Sequence, residues 1–360
     1  MFSIQMLPAR EGDAIWVRWG EKCNPYQMLI DMGTEEIGKK LSQRFSALPE
    51  THRIFEAIVV THIDADHIGG LLSFFVDSDK PSGALVKDFW FNGYKHLDGR
   101  RSSSTLEILG TDQAERLTNW LTNQPWNASF DGGAVCRREG ESLKVIELAG
   151  GMKVTVLGPT VQRLKELKPD WNKEIRTATQ KKELKRLVSD LEPMGASLSL
   201  ELPNALSLKY LAKQKPFRDN KPANGSSIVL LLEYDDKKVL LTGDAFAGDL
   251  VEALTHYSPK LPLQLAAFKV PHHCSRGNIS EQLISTINCQ NWLISTDGSR
   301  YKHPDDEGVA SILHYGVTSV NLLFNVSSKY NYKWSNSGWQ ARFHYSASYG
   351  SSEDGYSLDL

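Results

Sequence analysis

Residues 57–71 have the sequence AIVVTHIDADHIGGL, in which a short apolar run leads directly into histidines and aspartates. The apolar run predicts a buried strand, and the residues from Gly69 onward predict the first turns of a helix. Imidazole nitrogens and carboxylate oxygens suit zinc, manganese or iron. A polar loop with histidines that only cap the helix is the alternative, but it does not explain why strand, ligands and paired glycines coincide. The stretch predicts a metal site with four candidate ligands: His62, Asp64, Asp66 and His67.

The composition is that of a globular protein. Of 360 residues, 41% are hydrophobic and 23% are charged, and the formal net charge is -2. This charge gives no global attraction to nucleic acid or to an acidic membrane. No apolar run approaches the length of a membrane span, and the N-terminus lacks the pattern of a signal peptide. The four cysteines form no C-x-x-C pair, which favours a reducing compartment. We therefore expect a cytoplasmic protein that does not enter the membrane.

Strand patterns dominate the start of the chain and alternate with helical patterns later. The strands are too many for one sheet with a helix between each pair, so two sheets packed together with helices outside are expected. Residues 160–222 differ, with 14 Lys or Arg residues against 8 Asp or Glu residues. We interpret this stretch as a basic insertion, whose charges form either a solvated helix face or a contact for a phosphate backbone. From about residue 345 we expect a loose tail, beginning with a short strand.

Further candidate residues follow later strands. Asp244 lies at the end of an apolar strand, where a carboxylate either bridges two metal ions or caps the next helix. His272 and His273 follow another predicted strand, and a surface or capping role is the alternative for such a pair. His303 would either contact a leaving group or cap the helix that follows it.

The first cluster resembles the metal-binding signature of the metallo-β-lactamase fold superfamily, His-x-His-x-Asp-His, with Asp64 at the second histidine position. This variant resembles in particular the hydrolase domain of bacterial DNA-uptake competence proteins (the ComEC type). Further blocks typical of that subgroup occur in the same order along the chain. They are Gly12–Ile15, Leu29–Gly33, Asn224–Ser227, Leu240–Asp244, Val270–Ser275 and Lys302–Pro304.

The resemblance implies an α+β four-layer αββα sandwich, with two mixed sheets packed face to face and helices outside, in a single domain over residues 1–360. It also implies one or two divalent ions, zinc in the first place and manganese in the second, because the oxygen ligand Asp64 makes the site harder. One ion would be held by His62 and Asp64. The other would be held by Asp66, His67 and His272, with Asp244 as the bridge. Catalysis would involve Asp66, Asp244 and His303. The substrate would contact Asn224, His273, Ser275 and His303.

Two positions need separate interpretation. Cys274 replaces the glycine that usually follows the histidine pair, and it either approaches the metal or is a small buried side chain. Many superfamily members have another metal-binding histidine after the first cluster. His96 is the candidate for it, although it is close to that cluster along the chain.

The resemblance, the harder site and the basic insertion together predict a metal-dependent hydrolase, with a phosphodiesterase or nuclease as the leading hypothesis. Nucleic acid is then a candidate partner of the insertion. The alternative enzyme is an ester, lactone or phosphorylcholine-ester hydrolase. The alternative without catalysis is an inactive module for binding or for assembly with a partner protein, because a fold does not dictate a function.

Overall fold

The structure is a computed structural model that describes residues 1–77, 84–99, 113–171, 205–214 and 218–360. Its mixed sheets and helices confirm the α+β class. In chain order the strands are β1 (Phe2–Met6), β2 (Ile15–Glu21), β3 (Asn24–Ile30), β4 (Ile54–Phe55), β5 (Ala57–Val59), β6 (Leu85–Val86), β7 (Phe89–Trp90), β8 (Val145–Glu147), β9 (Lys153–Gly158), β10 (Val229–Tyr234), β11 (Lys237–Leu241), β12 (Leu263–Leu265), β13 (Ala267–Lys269), β14 (Ile287–Cys289), β15 (Asn291–Ile294), β16 (Val320–Phe324), β17 (Tyr345–Tyr349) and β18 (Tyr356–Asp359).

The helices lie between and after these strands. They are α1 (Glu35–Ser46), α2 (Ala65–Leu71), α3 (Gln113–Leu121), α4 (161–171), α5 (Ala205–Ala212), α6 (Pro222–Gly225), α7 (Ala247–Tyr257), α8 (Glu281–Ser285), α9 (Asp306–Tyr315) and α10 (Ser337–Phe343). Within the described ranges, no helix is both long enough and apolar enough to cross a membrane.

Two large mixed sheets organise the chain. The first has the order β18-β1-β2-β3-β5-β7, antiparallel as far as β3 and parallel from there. The second has the order β17-β16-β15-β13-β11-β10-β9-β8, parallel from β17 to β11 and antiparallel beyond. In sheets with parallel strands, ligands usually bind outside the carboxyl ends of those strands. The His62 loop, Asp244 and the histidine pair all follow such ends, those of β5, β11 and β13.

The hydrophobic residues form three buried clusters. One cluster joins the two sheets, since it contains Ile4, Val17 and Val59 of the first sheet together with Leu230 and Val239 of the second. A second cluster lies between the first sheet and helices α1 to α4. The third lies between the second sheet and helices α5 and α7 to α10. Each sheet therefore has one face against the other sheet and one face against helices.

Part of the stretch predicted as an insertion, residues 160–222, packs in the body of the protein. Residues 172–204 and 215–217 lie outside the described residues, and so do four of the basic residues counted above, Lys181, Lys182, Lys185 and Arg186. However, α4 is part of the body of the protein, because Leu164, Leu167 and Trp171 are buried in the cluster against the first sheet. These residues recur at helical spacing between charged ones, as in an amphipathic helix whose other face is solvated.

The C-terminal residues form two paired strands, where the sequence predicts a short strand followed by a loose end. β17 pairs with β16 in the second sheet, and β18 pairs with β1 in the first, with Ser3 opposite Asp359. Backbone hydrogen bonds to a strand of a sheet stabilise residues whose composition alone suggests a flexible end.

Candidate metal centre

The segment from His62 to His67 lies where β5 ends and α2 begins. His62 is in the loop, Asp64 is the N-terminal cap residue of the helix, and Asp66 and His67 are in its first turn. The turn after β1 can approach this helix because residue 12 is a glycine. A Cβ atom on Gly12 would lie 1.7 Å from the carbonyl oxygen of Asp66. Because Gly12 has no side chain, the β1–β2 turn lies close to the His62 loop. The next residue, Asp13, is carried by the same turn.

Asp244 is the centre of the arrangement. It follows β11 and Gly243, whose φ of +50° is readily adopted by glycine, and its side chain is buried. Four imidazole Nε2 atoms lie within 3.5 to 3.8 Å of its carboxylate oxygens, those of His62, His67, His272 and His273. One carboxylate thus faces every histidine predicted for the metal site.

The histidine pair lies in a short turn, Pro271–Cys274, after β13. His272, His273 and Cys274 have φ angles of 47°, 54° and 68°, a left-handed backbone that non-glycine residues rarely adopt and that is concentrated at functional sites. This turn directs the two rings differently. The Nε2 atom of His273 is buried and lies 3.6 Å from Oδ2 of Asp66. The ring of His272 lies nearer the surface, with 22% of its side chain exposed.

From the sequence, His272 is predicted to bind the metal and His273 to contact the substrate. The geometry favours the opposite assignment. His273 belongs to two of the clusters of possible ligand atoms formed by the described residues, and His272 belongs to none of them. The Nδ1 atom of His272 contacts Oδ2 of Asp219 at 3.1 Å and Oδ1 of Asn278 at 3.0 Å. The left-handed turn is the physical reason, since a strand-and-loop pattern does not reveal which of two adjacent rings it directs inward.

Polar groups behind the rings fix their orientation. The Nδ1 atom of His67 lies 2.7 Å from Oδ2 of Asp31, and that of His273 lies 2.7 Å from the carbonyl oxygen of Ser295. The Nδ1 atom of His62 lies 3.0 Å from Oγ1 of Thr61. In a neutral imidazole, a proton on Nδ1 that is donated to such an acceptor leaves the lone pair on Nε2. For His67 and His273 this lone pair is directed into the cluster.

The inward atoms have no hydrogen-bond partner among the described residues. They are Nε2 of His62, Nε2 of His67, Nε2 of His273 and Oδ1 of Asp244. Buried polar atoms are normally paired, because leaving them unpaired costs free energy. Ligand atoms of Asp66, His67 and His273 lie within 4.8 Å of one another, as do those of His62, His67 and Asp244. These buried histidines and aspartates could hold a metal ion, and nitrogen and oxygen donors of this kind fit one.

The charges of the cluster also fit a cation. Burial would raise the pKa of Asp244, but His273, His67 and His272 hold it well below its usual range. Burial would likewise raise the pKa of Asp66, but His67 and His273 lower it. Burial would lower the pKa of His67, but Asp244, Asp31 and Asp66 raise it well above its usual value. The carboxylates are therefore ionised at neutral pH, and binding of an ion would displace the proton that they retain on His67.

Asp64 has a different partner. Its Oδ2 atom lies 3.6 Å from Nε2 of His62 and only 2.6 Å from Nζ of Lys221, the residue before α6. Burial would raise the pKa of Asp64, but His62 and Lys221 lower it to about 2. Burial would lower the pKa of Lys221, and the attraction of Asp64 raises it overall. Asp64 and Lys221 thus form an ion pair at the edge of the cluster.

The other predicted contact residues lie around the histidine pair. His303 is near the surface, with Nδ1 at 3.1 Å from Oδ1 of Asp305 and its ring centre 5.5 Å from that of His272. Ser275 ends the turn that carries the pair. Asn224 is buried, and its Nδ2 atom donates to Asp219 at 2.8 Å. Asn224 therefore lies behind His272 rather than facing an open surface.

A groove of about 440 Å³ opens beside Asp66. Its lining is mixed in charge, with the cations Arg10 and Arg300 and the carboxylates Glu11, Glu35 and Glu36. Arg300 also lies over the ring of Tyr301, 5.1 Å from its centre. Asp66 thus belongs both to the cluster and to the wall of the groove.

No protein-family model matches the chain. The chain is similar to the ComE operon protein 3 of Bacillus subtilis (strain 168), with 26% identity over 129 residues. Those residues are 36% of this chain and 16% of that protein, so the match spans only a small part of the relative. The match supports the resemblance to competence proteins at a coarse level.

His96 and Cys274 lie outside the cluster. Nδ1 of His96 accepts a hydrogen bond from the backbone N–H of Gly93, and its Nε2 lies 3.2 Å from the carbonyl oxygen of Gly132. Cys274 is buried in the hydrophobic cluster of the second sheet, where burial raises the pKa of its thiol well above the usual value. Of the two alternatives for Cys274, the geometry favours the small buried side chain.

Several residues of the centre were not predicted from sequence. Asp13 and Asp31 belong to blocks that suggested the resemblance, but no role was assigned to them. Asp13 forms a buried ion pair with Lys269, at 2.8 Å, and its other oxygen lies 3.6 Å from Nδ1 of His273. Asp219, Lys221 and Asn278 carry no local signal, since they are single polar residues in loops. A position directly after a strand was the one available signal for Asp31.

Proposed function

We propose that the protein is a metal-dependent hydrolase with the four-layer αββα sandwich of the metallo-β-lactamase superfamily, and that it acts on phosphodiesters. The carrying observation is the set of buried Nε2 atoms of His62, His67 and His273, which face Asp244 without a hydrogen-bond partner among the described residues. Such a cluster is unfavourable unless a cation completes it. The hydrophobic cluster shared by the two sheets, with a further cluster outside each, supports the sandwich.

One divalent ion would be held by Asp66, His67, His273 and Asp244. Nitrogen and carboxylate ligands suit zinc in the first place and manganese in the second. When bound, such an ion supplies acidity to a water molecule and polarises the group that is attacked. Asp31 and the carbonyl oxygen of Ser295 keep two of the rings in a fixed orientation, so the ligand geometry is formed before the ion arrives.

His303 is suited to proton transfer on the open side of the centre. Its Nδ1 atom is oriented by Asp305, which leaves Nε2 for a substrate atom. As the oxygen of water forms the new bond to phosphorus, the bond to the leaving oxygen breaks. The leaving oxygen then takes a proton from Nε2 of His303 in its imidazolium form, which becomes the neutral ring, and the proton of the water passes to solvent.

The cations near the centre favour an anionic substrate. Lys221 is half-exposed beside Asp64, and Arg300 lines the groove. The similarity to the ComE operon protein 3 and the excess of basic residues over 160–222 add support for a nucleic acid, in line with a nuclease role. The three glutamates of the groove favour a neutral ester or lactone instead, and this is the second candidate function.

The deciding experiment measures metal-dependent cleavage of single-stranded DNA, double-stranded DNA and bis-nitrophenyl phosphate, with zinc and with manganese. A neutral nitrophenyl ester is measured beside them. Asp66→Ala and Asp244→Ala remove predicted ligands, and Asp359→Ala, at an exposed position of β18, is the matched control. We expect cleavage of the diesters by the native chain and by the control, and none by the two ligand variants.

Three other results would redirect the proposal. Cleavage of the neutral ester without the diesters would favour the ester or lactone hydrolase. Diester cleavage that persists in both ligand variants would contradict this site. Bound metal without cleavage of any substrate, or no bound metal at all, would favour a binding or assembly module.

A further inference from the structure

A positive charge lies beside Asp64, one of the two ligands predicted for a first metal ion. Oδ2 of Asp64 is the oxygen of that carboxylate that approaches Nε2 of His62, at 3.6 Å. The same oxygen lies 2.6 Å from Nζ of Lys221. A metal ion bound between His62 and Asp64 would therefore have to displace the ammonium group of Lys221 from Oδ2 of Asp64.

Neighbouring residues fix the position of Lys221. The next residue, Pro222, begins α6, and the backbone N–H of Lys221 donates to Oδ1 of Asp219 at 3.0 Å. The other oxygen of Asp219 contacts Nδ1 of His272 at 3.1 Å. Asn224, within α6, donates to that same oxygen. The loop that carries Lys221 is thus hydrogen-bonded to the histidine turn on its other side.

The two predicted metal positions are unequal in their ligands. Asp66, His67, His273 and Asp244 all occur in the clusters of possible ligand atoms. Asp64 occurs in none of the clusters found in the described part of the chain. A divalent ion beside a lysine ammonium is also repelled by it, and more strongly in a partly buried site than in water.

We propose that the ammonium group of Lys221 fills the first metal position, so that the protein binds one divalent ion instead of two. The inference deepens the proposed hydrolase function and rests on it. Lys221 is then the second cation of the centre. Its side chain is 52% exposed, so it can contact an anionic oxygen of the substrate on one side while Asp64 holds it on the other. A lysine is a compact point charge suited to this contact with a phosphoryl oxygen.

The test counts metal ions per chain. The full chain is equilibrated with excess zinc or manganese, separated from free ions, and analysed for metal and protein content. Manganese samples are also examined by electron paramagnetic resonance, because two neighbouring ions give a spin-coupled signal and one ion does not. We expect one ion in the native chain and in Lys221→Arg, which keeps the charge.

The neutral variant Lys221→Met should bind two ions, since Asp64 becomes available beside His62. The matched control is Lys237→Met, at an exposed position of β11, and it should bind one ion. Circular dichroism verifies that each variant is folded, and Lys221→Gln replaces Lys221→Met if the latter is not.

For the native chain and Lys221→Met, KM is also measured with the anionic diester and with a neutral ester. We expect the variant to raise KM about tenfold or more for the diester alone.

The outcomes separate this inference from the proposed function. Two ions in the native chain, with diester cleavage intact, would overturn the role of Lys221 and leave the hydrolase standing. One ion in both the native chain and the neutral variants would also overturn it. An unchanged KM for the diester in Lys221→Met would overturn the substrate contact. No ion in the native chain would contradict the metal centre itself, and the inference with it.

Discussion

The Nδ1 atom of His67 lies 2.7 Å from Oδ2 of Asp31, and both side chains are fully buried. The same carboxylate also accepts hydrogen bonds from the backbone N–H and the hydroxyl of Thr61, both at 2.7 Å. One aspartate at the end of β3 therefore positions the ring of His67 and the residue just before His62. Although 36 positions separate Asp31 and His67 in the chain, the two residues are in contact in the candidate metal centre.

Asp31→Asn should weaken metal binding by about 10- to 100-fold, because the neutral amide no longer strengthens His67 as a ligand. The dissociation constant is measured by competition with a chelating dye. Asp88→Asn is the control, since Asp88 is another buried aspartate that accepts hydrogen bonds, from Trp90, Ala128 and Ser129. The control should lower stability and leave the dissociation constant unchanged. Equal affinity in Asp31→Asn and the native chain would contradict the role of Asp31.

His273→Asn and His272→Asn should differ in metal content. His273 has its Nε2 atom buried between Asp66 and Asp244, so its loss removes a ligand and should abolish stoichiometric binding at micromolar metal. His272 is oriented by Asp219 and Asn278 at the rim, so its variant should keep the ion. Metal analysis after dialysis decides between them. Loss of metal from His272→Asn alone would restore the assignment made from sequence.

Lys269→Met should lower the free energy of unfolding by about 3–5 kcal/mol, because it leaves the buried carboxylate of Asp13 without its partner. The two side chains are 0% and 1% exposed, and their charged atoms lie 2.8 Å apart. The double variant Lys269→Met with Asp13→Asn should lose less, since no unpaired charge remains. Urea denaturation with a chelator present measures Lys269→Met, Asp13→Asn and the double variant. If the two single losses simply add in the double variant, the charges are not coupled.

The stability of the metal-free protein should depend on pH through His96. Burial, with the nearby Lys95, lowers the pKa of His96 to about 3 from 6.5. As pH decreases, residue 96 therefore binds a proton in the unfolded chain at a higher pH than in the folded chain. The free energy of unfolding falls as pH decreases from about 6.5 toward 3, by at most about 1.4 kcal/mol per pH unit. Between pH 7 and pH 5 the native chain should lose about 2 kcal/mol more than His96→Gln. Urea denaturation at both pH values, with a chelator, measures the difference. Parallel losses in the two proteins would show that His96 is not the group responsible.

Local patterns predicted the centre where its residues are close in sequence. The run from His62 to His67 was recognisable because the strand, the ligands and the start of the helix lie within about ten residues. Asp244 was recognisable because it follows an apolar strand. In both cases the ligand residues directly follow a strand, so the end of that strand determines where their side chains lie in the fold.

Other parts of the centre depend on geometry that local patterns do not contain. The inward orientation of His273 results from consecutive left-handed residues in its turn. The contact of Lys221 with Asp64 joins residues 157 positions apart. The packing of the helix at 161–171 against the first sheet and the pairing of β18 with β1 likewise depend on surfaces that meet only in the fold.

The pairing of β1 with β18 has a consequence for synthesis of the protein. The backbone groups of Phe2 to Met6 that face β18 receive their partners only when residues 356–359 have left the ribosome. Until then, β1 is an open edge that can pair with another nascent chain. The order of translation thus leaves this edge of β1 exposed while the residues between the two strands are made, and completion of that sheet waits for the synthesis of β18.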